Sequence, residues 1–461
     1  MAKIESEFLD VHPPQGEYQA RPFLPRRPIP DLGHARIDGE RFSSAEFMAK
    51  EWEHVWTKVW NIGIRESEVS DPGSFRVHEL GKESLLFVRG EDGVIRGFFN
   101  VCQHRGNVLC QAFDGDTKVF KCPFHGWEWN VDGSLRRVMD PQFFRQFDKG
   151  IPAGSLDLPP LKVDTWGGWV WFNMDPGAVP LRDYLGEAGR HLETYEFEKF
   201  DLVDYKSFEW AGNWKHAHDA FNESYHFAEL HPEFLNFTEG HDIPIELLGI
   251  HSRMLNFNST VSELLSDQSS IDELRAKFLG LGGFVPADYA GSAKDVHLEL
   301  VRRKRAMQDD TYLPYKRMND EQLAHQYHYT FFPNATFTQT PEAAFVFRYR
   351  PHPTDPNFCY YDFLILLHNP PGTPKPEFEH KLYRHDQLPL YGDAFEGTFE
   401  PVLANVLQQD GSNMVTMQQG TKSDSFKGML LCEQEVRIQH FHQTIDRFLR
   451  GDRGLDSPEG R

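Results

Sequence analysis

The sequence predicts an α+β protein in which an all-β module precedes a larger part that mixes helices with antiparallel strands. Three observations predict it. From residue 62 to about 175, short apolar runs are broken by Gly and Asp-Gly turns, as at residues 85–88 before Glu91-Asp92-Gly93 and residues 127–131 before Asp132-Gly133. Past Pro176 and Pro180 the texture becomes mixed, and alternating strands return at residues 327–350 and 358–368. Near the end, Val436, Phe441, Ile445, Phe448 and Leu449 fall on one side of an amphipathic helix.

Taken in order, residues 1–40 are polar and proline-rich and read as an extended arm. A helix is expected near residues 43–60, opened by Ser43 or Ser44, with Phe47, Trp52, Val55 and Trp56 at helical spacing. This helix and the β module together make a domain over residues 41–180. Residues 181–461 make a second domain, with a polar helical insertion at 261–325. Within it a helix runs from near Asn213 to Leu230 and is stopped by Pro232. Another helical run, from Val402 to Gln409, ends at Asp410 ahead of Gly411.

The chain has 461 residues, enough for two or three domains with substantial cores. Its net charge of −21 is spread along the sequence, which disfavours nucleic acid and anionic membrane and suits a soluble protein. Three of the five cysteines, Cys110, Cys359 and Cys432, show no pairing pattern, so a reducing cytoplasm is the expected compartment. The N-terminus lacks the apolar run of a signal peptide, and no stretch approaches the ~20 apolar residues of a membrane span.

Cys102, His104, Cys122 and His125 are the most informative residues. They form Cys-x-His, seventeen residues, then Cys-x-x-His. A structural zinc site usually takes a Cys pair followed by a His pair. Here each loop supplies one of each, which suits a two-iron cluster with both sulfurs on one iron and both imidazoles on the other. Downstream, His226 and His231 stand five apart, so on an ideal helix they diverge by ~140° and share a metal only where the helix ends or distorts. Pro232 supplies a reason for such a break. Two histidines and a carboxylate on one face of an iron leave positions open for oxygen and substrate. The carboxylate must come from elsewhere in the chain, and Asp410 is the choice.

These features resemble the large (α) subunit of the Rieske non-haem iron oxygenases, the aromatic-ring-hydroxylating dioxygenase family, over about residues 40–450. The loops Cys102-Gln103-His104-Arg105-Gly106 and Cys122-Pro123-Phe124-His125-Gly126-Trp127 carry the resemblance, and so does Asn213-Trp214-Lys215 with Glu223-Ser224-Tyr225-His226 and His231. The resemblance implies a Rieske [2Fe-2S] domain followed by a helix-grip (START-like) catalytic domain. It implies Cys102, His104, Cys122 and His125 as cluster ligands and His226, His231 and Asp410 as ligands of a mononuclear Fe(II). Glu223 stands where many ring-hydroxylating members have Asp, a residue type also resembling members that act on choline or carnitine. Glu223 is assigned as the bridge between the two centres, with Asp219 the alternative acid.

The resemblance further implies a terminal oxygenase that hydroxylates an aromatic or cyclic substrate, by cis-dihydroxylation or monooxygenation. The alternatives are a quaternary-amine monooxygenase and, from another class, a pure electron carrier. Electrons would come from NAD(P)H through a separate reductase, sometimes with a ferredoxin, and cross between subunits of a homotrimer or of an α3β3 assembly with a small β subunit. Phe124 between Pro123 and His125, and Cys110 without a second-loop partner, predict few hydrogen bonds to the sulfurs and a potential near ~−150 mV. Arg348 and Arg350 share a strand face and could hold a substrate carboxylate or form salt bridges. The insertion could cap the pocket or contact another subunit.

Overall fold

The computed structural model describes residues 31–241, 243–266, 289–307, 315–369, 372, 374, 378–386 and 401–456. The expected arm lies outside the described residues as far as residue 30, as do residues 267–288 and 308–314 of the expected insertion. The chain divides into two compact units.

The smaller unit, Trp52–Tyr184 with Pro351–Asp355, is the all-β module. Its strands are β1 (Asn61–Arg65), β2 (Ser74–Leu80), β3 (Glu83–Arg89), β4 (Ile95–Phe99) and β5 (Asp114–Asp116), then β6 (Val119–Lys121), β7 (Glu128–Asn130), β8 (Leu135–Arg137), β9 (Lys162–Trp166) and β10 (Trp169–Asn173). They form sheets ordered β4-β3-β2-β5, β6-β7-β8 and β1-β10-β9. Phe75, Val77, Leu86, Val88 and Trp129 pack with Cys102 and Cys122 in one core, so the metal-ligand loops are anchored in apolar contacts.

The larger unit contains Leu185–Arg350 and Pro356–Arg461, together with the segment ending at Glu51. Its helices are α1 (Ala45–Glu51), α2 (Leu181–Leu192), α3 (Trp214–Ala220), α4 (Phe227–Leu230), α5 (Val296–Ala306), α6 (Asp320–Ala324), α7 (Pro401–Gly420) and α8 (Val436–Leu449). Its strands are β11 (Phe200–Trp210), β12 (Thr238–Glu239), β13 (Ile245–Leu248), β14 (His251–Asn258) and β15 (Gln326–Phe331), then β16 (Ala335–Gln339), β17 (Ala343–Pro351), β18 (Cys359–His368) and β19 (Lys381–Tyr383). One sheet runs β12-β14-β15-β16-β17-β18-β11-β19, with β13 added against β14. Strands β14 and β15 pair antiparallel with Asn256 opposite Gln326, so the insertion is an excursion between sheet neighbours. Arg302 and Arg303 pair with Glu299 on α5, as a solvated helix face would.

Three elements differ from the sequence reading. The helix expected over residues 43–60 splits into α1 and a π turn at Trp52–Trp56. Its α1 half groups with the larger unit because Lys215 Nζ meets Glu51 Oε1 at 2.8 Å and Phe42 stacks on His216 at 4.1 Å. The run beginning at Val402 does not end at Asp410. Gly411 costs about 1 kcal/mol in a helix interior, but Leu407, Asp410, Met414 and Gln418 form one buried stripe that carries α7 on to Gly420. The helix expected from Asn213 to Leu230 stops at Ala220, where Asn222 Nδ2 donates to the His218 carbonyl at 2.6 Å and takes the place of a further backbone turn.

Arg348 and Arg350 are settled on the far side of the sheet from Phe347 and Tyr349. Arg348 Nε donates to Asp362 Oδ2 at 2.7 Å, and Arg350 Nη2 donates to Asp362 Oδ1 at 2.7 Å. Burial works against the Asp362 charge, yet the two guanidiniums hold its carboxyl well below the usual carboxylate range. The salt-bridge reading of these arginines therefore holds, and the substrate-carboxylate reading does not. No helix among the described residues is long and apolar enough to cross a membrane.

Asp362→Asn should strand two buried guanidiniums and cost about 3–5 kcal/mol of stability, read as a lowered urea midpoint with unchanged slope. Because the folded carboxyl is depressed, the wild-type advantage should be complete above roughly pH 4 and fade only below it.

Candidate metal centres

The two loops of the β module are built on one backbone plan. In the first, Cys102 N–H donates to the Asn107 carbonyl at 2.8 Å and Gly106 N–H to the Cys102 carbonyl at 3.0 Å. In the second, Cys122 N–H donates to the Trp127 carbonyl at 2.8 Å and Gly126 N–H to the Cys122 carbonyl at 3.0 Å. Gly106 and Gly126 close these turns at φ values of 72° and 68°, a region that favours glycine. The backbone N–H groups of His104 and Arg105 point at the Cys102 sulfur, and those of Phe124 and His125 at the Cys122 sulfur. Asn107 Nδ2 adds a side-chain contact to Cys122 Sγ at 3.9 Å.

The side chains fit a cluster. Both cysteines are free and buried. The His104 and His125 rings lie 4.7 Å apart, and Trp127 stacks flat against His104. His104 Nδ1 is buried without a hydrogen-bond partner among the described residues, which leaves a lone pair for a metal. Burial, with His125 and Arg105 nearby, holds the His104 ring below its ordinary pKa and keeps it in the neutral, ligating form. Cys110 lies outside this arrangement, its thiol pushed up to about 12 by burial.

The second constellation lies in the larger unit. Because α3 stops at Ala220, the chain turns before His226 and starts α4 afresh. His231 follows α4 and precedes Pro232. The break lies within the segment expected to be one helix, as well as at Pro232. Ligand atoms of His226, His231 and Asp410 come within 4.8 Å of one another, and they are the one such group of three among the described residues. His231 Nε2 is 3.0 Å from Asp410 Oδ1, and His226 Nε2 is 3.8 Å from the same oxygen.

Both rings present Nε2 because their Nδ1 atoms are occupied. His226 Nδ1 contacts Glu223 Oε1 at 2.5 Å, and Glu223 Oε2 also accepts the His226 backbone N–H at 3.1 Å. His231 Nδ1 contacts Gln409 Oε1 at 2.8 Å. Burial favours a neutral His226, but Glu223 and Asp410 outweigh it and raise the pKa. A place where carboxylates surround an imidazole is one that calls for a cation. Two imidazoles, each held at Nδ1 by a neighbour, and one carboxylate could hold Fe(II) with positions left open.

Asp219 is engaged elsewhere. Its Oδ2 contacts His442 Nε2 at 2.8 Å and its Oδ1 contacts His218 Nδ1 at 3.3 Å, while Glu223 meets His226. Of the two acids, Glu223 and not Asp219 is the one that touches His226. Gln409 was not foreseen in the sequence. Its adjacency to Asp410 is the one signal, and a Gln on a helix is too common to read without its partner.

Comparison with known proteins gives three findings. The family model described as "Ring hydroxylating alpha subunit (catalytic domain)" matches residues 197–451, and "Rieske [2Fe-2S] domain" matches residues 59–148. The chain is 32% identical over 195 residues (42% of this chain, 52% of the relative) to the carnitine monooxygenase oxygenase subunit of Acinetobacter pittii. It is 29% identical over 214 residues (45% of each chain) to the anthranilate 1,2-dioxygenase large subunit of Acinetobacter baylyi. The chain thus spans about half the length of the curated relatives it matches. A naphthalene 1,2-dioxygenase with indole bound in its active site shares the fold, with a TM-score of 0.67 at 19% identity over 92% of this chain and 94% of that one.

Gln409→Leu removes the partner of His231 Nδ1 and leaves all three metal donors in place. It should weaken Fe(II) or Co(II) binding about 10–100-fold, measured by titrating the metal-free protein.

Proposed function

The chain belongs to the ring-hydroxylating alpha-subunit family, and from that premise we propose that it is the terminal oxygenase component of a Rieske system acting on an aromatic or cyclic organic substrate. The observation that carries this reading is the pairing, in one chain, of the two-loop cysteine–histidine cradle with the His226, His231 and Asp410 group. A carrier alone would have no need of a second set of donors with open positions. In this reading Cys102, His104, Cys122 and His125 hold a [2Fe-2S] cluster, and His226, His231 and Asp410 hold Fe(II). When bound, the cluster supplies single electrons drawn from NAD(P)H through a separate reductase, with or without a ferredoxin, and the Fe(II) supplies oxygen activation.

The protein's own residues supply placement. Glu223 keeps a proton on His226 Nδ1 and fixes the ring through two contacts on one residue. Its position beside His226 suits a bridge to His125 of the partner subunit in a trimer. Gln409 sets the His231 tautomer in the same way. The aromatic wall of Phe221, Phe347 and Tyr361 flanks the end of α3, with ring centroids of Phe221 and Phe347 4.4 Å apart, and excludes water from this side.

Glu223 and the likeness to a carnitine monooxygenase favour a second reading, monooxygenation of a quaternary amine. Turnover of carnitine against aromatic acids, with products identified by mass spectrometry, separates the two. For either reading, metal analysis should give about three irons per chain, and about two would overturn the oxygenase assignment. Glu223→Gln should keep the cluster's spectrum and the iron content while slowing substrate-dependent oxygen uptake ~10–100-fold. His226→Ala should abolish uptake.

A further inference from the structure

Among the described residues, Arg437 is a buried charge without a carboxylate partner. It is fully buried in the first turn of α8. Its Nε donates to Ser252 Oγ at 3.0 Å, its Nη1 contacts His328 Nδ1 at 3.1 Å, and its Nη2 donates to Thr330 Oγ1 at 2.7 Å. All three partners are neutral, and among the described residues no carboxylate pairs with it. The other deeply buried guanidiniums of this sheet behave differently, Arg253 pairing with Glu246 and Arg348 and Arg350 with Asp362.

An isolated buried cation is costly, and the positive end of a helix makes it more so. Burial lowers the Arg437 pKa only to about 9, so the charge remains at neutral pH. The neighbouring rings yield instead. His218, His328 and His440 are held below their ordinary values by burial, with Arg437 adding to it. Among the described residues the site thus holds a single positive charge and no carboxylate paired with it.

Its placement points to what the missing charge belongs to. Ser252 lies opposite Thr330, and Thr330 opposite Thr336, on three adjacent strands. Thr336 Oγ1 contacts Tyr349 Oη at 3.0 Å on the fourth. This lane of hydroxyls crosses an otherwise aromatic sheet face toward the metal donors, and the Tyr349 phenol feels both Arg437 and Asp410. From the other side, Thr330 donates to Asn222, the residue before Glu223. A guanidinium has five N–H groups. The three bonds leave one N–H on each terminal nitrogen, and a carboxylate is the group that accepts from a guanidinium most strongly.

We propose that Arg437 is the receptor for a carboxylate carried by the substrate, so that the oxygenase acts on an organic acid whose ring or chain reaches the metal donors along the hydroxyl lane. This rests on the oxygenase reading and adds the substrate's charge to it. The test uses the iron-loaded protein with benzoate and its neutral isostere benzamide, each followed by calorimetric titration and by melting temperature. In the wild type benzoate should bind more tightly than benzamide. Arg437→Gln should weaken benzoate about tenfold or more and leave benzamide within about twofold, and Arg437→Lys should recover part of the loss. A merely structural arginine would weaken both ligands alike on replacement, whereas a receptor would weaken benzoate alone.

Three results would overturn the assignment. They are no benzoate binding to the wild type, equal loss of both ligands in Arg437→Gln, or chloride reproducing and displacing the benzoate effect, which would make the site one for a free inorganic anion. Failure of the oxygenase reading would show separately, as an iron count of about two.

Discussion

The position of α7 against α3 governs the mononuclear centre, and one neutral side chain fixes it. Gln418 is buried on α7. Its Oε1 accepts the Asn213 backbone N–H at 2.8 Å, and its Nε2 donates to the Phe42 carbonyl at 3.1 Å and to Asn357 Oδ1 at 3.0 Å. Asn213 in turn caps α3 through Lys215 N–H and donates to the Pro356 carbonyl at 2.7 Å. Four separated segments are thereby pinned at one point. Two turns along α7 from Gln418, Asp410 arrives beside His231, 179 residues away in sequence. A metal site tolerates little misplacement, so a satisfied amide network with no charge to solvate is a suitable rivet.

The large sheet sorts its polar groups by face. On one face Asp362 neutralises Arg348 and Arg350, and Ser207 hydrogen-bonds the same carboxylate. On the other, aromatic rings dominate, with hydroxyls, the His328 imidazole and Lys206 among them and the Arg437 guanidinium of α8 packed against it. Lys215 and Glu51 form a buried pair in which burial moves both groups toward neutrality. Closed pairs of this kind hold segments together. The open charge of Arg437 lies on the face that also carries the metal donors, where binding can complete it.

How much of this was legible in the sequence follows from how local each feature is. The cradle loops could be read because ligands, turn glycines and flanking strands all fall within about thirty residues of chain. His226 and His231 could be read for the same reason, and the alternation of residues 344–350 separated arginines from aromatics correctly. Asp410 was a choice among distant carboxylates that the family resemblance supported, since nothing near it signals a metal. The continuity of α7 through Gly411 and the early stop of α3 at Ala220 were not legible. Both are set by tertiary contacts, a buried stripe in one case and a side chain replacing a backbone bond in the other. His442 and Gln409, the partners of Asp219 and His231, lie far off in sequence, where no pattern announces them. Nothing in the sequence singles out Arg437, whose three partners lie 107 to 185 residues away.

The shared plan of the two cradle loops has a consequence for substitution. Each turn is closed by amide–carbonyl bonds and a glycine in the left-handed region, and its sulfur faces backbone N–H groups. These donors belong to the main chain, so replacing the side chain of Arg105 or Phe124 leaves them in place, whereas a side chain at Gly106 or Gly126 strains the turn that aims them.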